Sequence, residues 1–453
     1  MGPFDGRSID AGALYEVIRD FGDCMLGWID QDSGELRDPF ETIYGEGYGP
    51  GIAAHIFAGL HDRFGDERYL SAAGMMMDRT IEKLENPTDN NPFTDIFLFF
   101  WALKAFDLLK GSSAVQDADR WRKSFERLDY SFDPPNTNGH SLFIGTDILC
   151  ATLGLKRPDH ERLGHLLDTV EGMQNELGFI DDTTRVVRAP VVYYPGDMRR
   201  LRLLPDNVRG RLGMQDKAKK DLKPAAYHLF SCGILAETLR WRKRFPVPEL
   251  EETMERIRRI VSRGLEWTDR FVAADGSFSV TERSRDQFWV GGCFVFLNAL
   301  RIGDGAAVQA KRHLDWWKRF IKEDGSCSTT PNYFSNGLRI GFENYSTMTM
   351  YVTQGFSFLL DAAEVVLENQ QLEGLPGIPS DNEGSFIDEE AGYCHIRSGK
   401  SSAGVSLRRH RGGFYGGYCP AMGLYNVVIG GSRLRPFPSP SYRVGGLGAV
   451  SYT

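Results

Sequence analysis

The chain has 453 residues, enough for about two to three domains on length alone, and its 42% hydrophobic content supports a substantial buried core. A net charge of -8 and an isoelectric point near 5.7 exclude a broad nucleic-acid footprint, while leaving room for a local basic lining around an anionic ligand. The 7 cysteines, odd in number and without a C-x-x-C pair, exclude a disulfide framework and a zinc ribbon and predict buried or free thiols.

The N-terminal stretch from Met1 to Asp5 has no basic segment leading into an apolar run, which predicts a cytoplasmic protein unless the chain is a processed one. Helical periodicity then begins over Ala11 to Gly22 and recurs over Gly51 to Phe64, Arg68 to Leu84 and Phe93 to Leu109. The most apolar stretch, Ile96 to Leu109, is interrupted by Lys104 and Asp107 and is too short to span a bilayer, so it reads as a core helix and no membrane partner is expected. Further helices are predicted over Ala114 to Leu128, Leu142 to Leu153 and His160 to Gln174.

Phe179 to Lys223 breaks the pattern. It holds β-like Val186-Val187 and Val191 to Tyr194 and a basic run, Arg199-Arg200-Leu201-Arg202, and an excursion of this length predicts a lid or cleft wall. Periodicity resumes over Ala226 to Lys243, Leu250 to Phe271, Phe288 to Leu300, Ala306 to Ile321 and Ser346 to Leu367, for about twelve helices in all. Gly34, Gly178, Asp275-Gly276 and Asp324-Gly325 mark reversals, because glycine accepts the positive φ that ends a helix. Pro92 and Pro224 sit where a first helical turn tolerates a missing N–H.

One helix of each pair carries a charged face, as in Glu251 to Arg256, while its successor is apolar nearly all round, as in Phe288 to Phe294. A helix apolar on all sides is buried and one with a polar stripe faces water. The alternation, at a period of roughly 45 to 60 residues, predicts helical pairs, and it favours a closed (α/α)6 toroid over an open solenoid because the inner helices open on such different polar sets. Those starts are Tyr44/Glu46/Tyr48, Asp89/Asn90/Asp95, Asn136/Asn138/His140, Tyr227/His228, Glu282/Arg283/Arg285 and Glu343/Asn344/Tyr345. In a closed ring they meet at one rim.

After Leu367 a Gly, Pro and acidic linker leads into alternating segments such as Tyr393 to Arg397 and Val405 to Arg408, the pattern of strands. The expected division is a toroid over 1–372, a linker over 373–385, and a β-rich region over 386–453 that is short for a complete antiparallel β-sandwich.

A Tyr-His pair opening an inner helix at Tyr227-His228, an Asn/His pair at Asn138 and His140, the stretch Arg339 to Tyr345, and a β domain after the helices together resemble the heparinase II/III-like and alginate-lyase-like polysaccharide lyases. The likeness spans the chain in architecture but rests on short motifs. It implies cleavage of a uronate-containing acidic polysaccharide or oligosaccharide by β-elimination, with no cofactor. The family often has its Asn and His adjacent, whereas Gly139 separates them here.

That reaction has definite needs. The C5 proton of a uronate leaves only if the neighbouring carboxylate is neutralised by aimed donors, after which a base takes the proton and an acid protonates the leaving oxygen. The resemblance implies a neutraliser in Asn138, a base or neutraliser in His140, and the acid, or both acid and base, in Tyr227 with His228 beside it. Arg283 and Arg285 suit an anionic sugar group through bidentate guanidinium bonds. Glu343 and Tyr345 complete the set, Glu343 as a residue that orients a His or Arg.

Each residue has a plainer reading. Asn136 or Asn138 caps a helix, Tyr227 packs between helices, and the arginines pair with Glu282 or Asp286. Among aromatics, Tyr44, Tyr48 and Tyr333 are expected as sugar platforms, while Trp316 and Trp317 belong to an outer helix and the core. His395 and His410 lack a clear third ligand for zinc, so they are expected as exposed strand histidines with no metal. Two rival functions stay open: a glucuronidase-like toroid glycoside hydrolase with two carboxylates drawn from Asp89, Asp95, Asp181, Asp182, Glu282 and Glu343, and a non-catalytic glycan-binding protein.

Overall fold

The computed structural model describes residues 9–39, 46–86, 92–112, 117–127, 134, 136–182, 223–278, 287–329, 347–378, 383–407, 423–434, 441–443 and 449–451. Among them the α-helices are α1 (Ala11–Leu26), α2 (Gly49–Phe64), α3 (Glu67–Glu85), α4 (Pro92–Leu109), α5 (Ala118–Arg127), α6 (Thr137–Thr152) and α7 (His160–Gly172). They continue with α8 (Ala225–Arg244), α9 (Glu251–Arg270), α10 (Phe288–Ala299), α11 (Asp304–Lys318) and α12 (Thr353–Glu368), the last preceded by a π-helical turn, Met348–Val352.

Local chemistry sets where several of these begin. Asp10, Asp66 and Asp159 each accept a backbone N–H of the following first turn, from Gly12, Arg68 and Arg162, supplying an acceptor that a helix start lacks. The charged and apolar helices then sort as their surfaces require. α9 exposes Glu251, Glu252 and Glu255 and buries Met254, Ile257, Ile260 and Leu265, whereas every residue of α10 is buried.

The apolar helices close a ring. α2 packs on α4, α4 on α6, α6 on α8, α8 on α10, α10 on α12, and α12 back on α2. The remaining helices lie outside it: α1 against α2 and α12, α3 against α2 and α4, α5 against α3 and α4, α7 against α6, α9 against α8 and α11 against α10. Closure rules out the open solenoid and gives the expected (α/α)6 toroid. Two contacts seal it: Phe21 of α1 stacks on Phe356 of α12 with centroids 3.8 Å apart, and the turn after α11 lies on α1. Gly325 in that turn has φ +77°, and a Cβ there would stand 2.2 Å from the Asp20 carbonyl oxygen, so only glycine lets the outer layer close.

Inside the ring, away from the helix starts, lies a buried ionic network. Lys104 of α4 donates to both carboxylate oxygens of Asp361 at 2.5 Å and lies 3.0 Å from Glu237. Arg240 forks onto Glu237 at 2.8 and 2.6 Å and reaches Glu364 at 3.0 Å. His55 of α2 stands 3.7 Å from Asp361 and bonds Ser357 Oγ at 2.8 Å. Four of the inner helices, α2, α4, α8 and α12, are thus tied together. Burial, with Glu237 nearby, pushes the Asp361 carboxyl up to about 8. Burial, followed by the Lys104 charge, pushes His55 well below its ordinary value. Glu237 goes the other way: burial opposes ionisation, but Arg240 and Lys104 prevail and hold it well below the usual carboxylate range.

Beyond α12, strands β1 (Gly384–Asp388), β2 (Tyr393–Ser398), β3 (Ser401–Ser406), β4 (Gly423–Ile429) and β5 (Ser432–Leu434) form an antiparallel meander in sequence order, and β6 (Ser441–Arg443) pairs with β7 (Ala449–Ser451). β1 starts at Gly384, inside the stretch expected as linker. The meander is a small β domain laid on the helices by one face: Tyr393 packs on Trp267 and Phe271, Phe386 on Phe271, and Asp388 accepts from the Trp267 indole at 2.8 Å. His395 is on this face too. It is buried beside Phe271, and burial pushes its imidazole down to about 4, which corrects the expectation of an exposed strand histidine. His410 lies outside the described residues, and among those described no cluster of three His, Cys, Asp or Glu could hold a metal. No described helix is long and apolar enough to cross a membrane. The six described cysteines carry free thiols, all buried except Cys24.

Candidate active site at the rim of the ring

The third inner helix begins earlier than its apolar pattern predicts. Asn136 takes the cap position with extended backbone, and its Oδ1 accepts the Gly139 N–H at 3.3 Å, so α6 starts at Thr137 rather than near Leu142. Asn138 and His140 therefore lie within the first turn. The capping reading holds for Asn136, which leaves Asn138 for other work. Its side chain is buried, and its Oδ1 has no hydrogen-bond partner among the described residues, an arrangement that native structures rarely leave without a ligand or water.

His140 is held by its own helix. Its Nδ1 lies 2.8 Å from the Asn136 carbonyl oxygen; a carbonyl only accepts, so Nδ1 carries the proton and Nε2 is the lone-pair nitrogen of the neutral ring. That is the tautomer a base needs.

Two residues after α7 join α6 to α8. Asp182 Oδ1 accepts the Asn138 N–H at 2.9 Å, and the Asp181 carbonyl accepts the Thr137 hydroxyl at 2.7 Å. The Asp181 carboxylate pairs with the Lys223 ammonium, two residues before α8 begins. The β domain fastens the same point: the Tyr393 hydroxyl donates to the Lys223 carbonyl and accepts the Ala225 N–H at 3.3 Å, and Lys223 N–H donates to the Ala391 carbonyl at 3.2 Å.

Tyr227 and His228 open α8 and part company, since neighbours on a helix point about 100° apart. Tyr227 is half-buried with its ring 5.6 Å from that of Trp289, the second residue of α10. His228 turns into the α8 and α9 interface instead. Its Nδ1 accepts the Ile180 N–H at 2.9 Å, its Nε2 lies 3.2 Å from both the Gly264 carbonyl and the Thr268 hydroxyl, and Phe179 stacks on it. Burial pushes its imidazole down to about 3. A ring so enclosed is a core histidine, and the expected acid-base role beside Tyr227 has no support in this placement.

A chain of rings crosses between the other starts. Tyr48, the residue before α2, stacks on Phe97 of α4 at 4.7 Å and lies 6.4 Å from Tyr351 of the π-helical turn. Phe97 stacks on Phe230 of α8 at 5.8 Å, and Phe230 meets Trp289 at 5.9 Å. Tyr48 and Tyr351 are half-buried, whereas Trp289 is 2% exposed and packs behind Tyr227. Trp316 and Trp317 are core, as expected.

The described starts of all six inner helices are thus joined at one end of the ring, by ring contacts or through Asp181 and Asp182. Tyr44, Asp89, Glu282, Arg283, Arg285, Tyr333, Glu343 and Tyr345 lie outside the described residues, as do the β-like and basic parts of the Phe179 to Lys223 excursion. Lys223, Phe97 and Tyr351 were missed in the sequence. Lys223 had one signal, its position immediately before the helix-opening Pro224.

Fold and rim define the class: an (α/α)6 toroid with the starts of its inner helices gathered at one end. No protein-family model matches the chain, and no curated protein sequence does. Solved structures do match. A sugar epimerase from a ruminal bacterium is 10% identical with a TM-score of 0.52, covering 79% of this chain and 99% of its own. A glycosyl hydrolase of family 88 from Bacteroides vulgatus is 13% identical with a TM-score of 0.51, covering 79% and 99%. A possible member of the GH105 family from Salmonella enterica is 11% identical with a TM-score of 0.50, covering 80% and 95%. At these identities the likeness establishes a shared fold.

Proposed function

We propose that this chain is a carbohydrate-active enzyme whose site is the rim of the toroid, and that it cleaves a uronate-containing acidic glycan by β-elimination. The supporting observation is the junction of α6 with α8. There Asn138 presents a buried carboxamide whose Oδ1 has no partner among the described residues, His140 a ring with its lone pair on Nε2, and Tyr227 a half-buried phenol on the adjacent helix, joined through Asp182, Asp181 and Lys223. Asn138 donates from its carboxamide N–H to the uronate carboxylate, leaving its Oδ1 to accept a sugar hydroxyl, while His140 takes the C5 proton and Tyr227 protonates the leaving oxygen. Tyr48 and Tyr351 carry a sugar ring. Arg283, Arg285, Glu343, Tyr345 and Tyr44 are assigned to substrate binding on their sequence positions, and no resident cofactor takes part.

The same rim bears on the hydrolase alternative. Hydrolysis needs two carboxyls facing across a scissile bond; of the six named for it only Asp181 and Asp182 have described side chains, and these are adjacent and accept from Lys223 and from Asn138 N–H. They build the rim. The test is a panel of uronate polysaccharides digested by the wild type and by Tyr227→Phe and His140→Gln. The expected result is an ultraviolet-absorbing product with the wild type and a fall of about 10²-fold or more in each variant with folding intact; full activity in both variants would overturn the assignment.

A further inference from the structure

The fifth inner start carries a feature that the proposed reaction does not use. Gln287 immediately precedes α10, and its carboxamide oxygen accepts the Trp289 indole N–H at 2.6 Å. An indole nitrogen only donates, which fixes the oxygen on that side and the Nε2 amide on the other. Gln287 is 1% exposed, and its Nε2 has no acceptor among the described residues; neither does the Trp317 indole Nε1, which is fully buried. Both side chains line one small cavity between α10 and α11, together with Phe278, Gly291 and His313. The volume open to a water's centre is about 10 Å³, the room one water needs.

Glycine makes that room. A Cβ on Gly291 would lie 2.8 Å from His313 Nε2, so a ring nitrogen borders the same space. Two buried donors and a ring nitrogen around a water-sized cavity match the two to four polar partners that internal waters take. Leaving such donors unmet is costly.

We propose that this cavity is a one-water site, and that the water held there fixes the Gln287 carboxamide and, through it, the Trp289 ring that backs Tyr227. Gln287 is then a positioning residue, acting on the rim through Trp289 without touching substrate. The functional half of this inference rests on the assignment of Tyr227 to the reaction; the water site itself does not.

The experiment is a pair of crystal structures at a resolution that shows ordered water, of the wild type and of Gly291→Ala, with Gln287→Met as the second variant if the first fails to fold. Expected are density within hydrogen-bond distance of Gln287 Nε2 and Trp317 Nε1 in the wild type, its loss in the variant, and a displaced Trp289 ring. Calorimetry with an acidic oligosaccharide is expected to show roughly fivefold weaker binding in the variant, the shift one lost hydrogen bond produces. Wild-type density absent or touching neither donor overturns the proposal, as does a variant that loses the water with the Trp289 ring unmoved. A wild type that binds no acidic glycan overturns the proposed function instead, and the density and ring position still decide this inference.

Discussion

Replacing Lys104 by Met keeps the length of the side chain and removes the charge closest to Asp361, leaving Arg240, at 3.4 Å from Asp361, as the other cation shared with Glu237. In the native ring Lys104 and Arg240 face Glu237, Asp361 and Glu364, with His55 beside Asp361. Side chains of Lys104, Asp361 and Glu237 are all 1% exposed, so water does not replace the lost partner. Breaking a buried pair from one side costs about 3–5 kcal/mol. The deficit has a pH signature as well. Asp361, raised from 3.8 to about 8 in the folded protein, binds its proton more tightly there than in the unfolded chain. Its contribution is complete below the unfolded value and fades as pH rises through the folded one. Without Lys104 the folded carboxyl holds its proton harder still, so the stability gap between Lys104→Met and the wild type widens from about pH 6 to about pH 9. Urea unfolding followed by far-ultraviolet circular dichroism at both pH values measures it. A deficit under about 1 kcal/mol, or one that grows on acidification, refutes the reasoning.

Asp361→Asn leaves two cations against Glu237 and Glu364, so urea unfolding is expected to show a smaller loss than Lys104→Met and a flatter decline toward alkaline pH. His228 is depressed from 6.5 to about 3: its contribution is present above the unfolded value and lost as pH falls between the two, with a slope of up to about 1.4 kcal/mol per pH unit. The stability profile of His228→Gln should lose that slope, and an unchanged acid limb would contradict the buried placement. Tyr393→Phe removes only the hydroxyl that bridges Lys223 and Ala225, with an expected cost of about 1–2 kcal/mol and faster hydrogen exchange at the start of α8; exchange unchanged there would show that the β domain does not brace the rim. Gly325→Ala meets both a left-handed φ and the Asp20 carbonyl, and a calorimetric midpoint equal to that of the wild type would argue against closure of the outer layer through this turn.

The ring was legible because its cause is local. An outer helix such as α9 carries a charged face and an inner one such as α10 carries no charge at all, and that contrast survives without knowledge of neighbours. The turn glycines were equally plain, and Gly34, Gly178, Gly276 and Gly325 all have positive φ. The start of α6 was misplaced because its first turn, Thr137 to Ser141, is polar and carries no apolar signal until Leu142; only the cap at Asn136 marks it. Lys104 read as an interruption in an apolar stretch, since its partner Asp361 is 257 residues away. His228 was inseparable from Tyr227 in sequence, because adjacency fixes the angle between two side chains but not which of them turns into the core. His395 failed for a related reason: alternation assigns strand residues to two faces and leaves open which face meets the helices.

Digestion of a uronate polysaccharide in water enriched in heavy oxygen tests the central claim most directly. Elimination breaks the glycosidic bond without adding water, so fragments made by the wild type, read before the new reducing end exchanges its oxygen with solvent, are predicted to carry an unsaturated terminal uronate and no solvent-derived oxygen at the cleaved bond, and Tyr227→Phe to make few such fragments. Saturated fragments that have gained one labelled oxygen per cleavage would contradict the account and mark the rim as a hydrolase site.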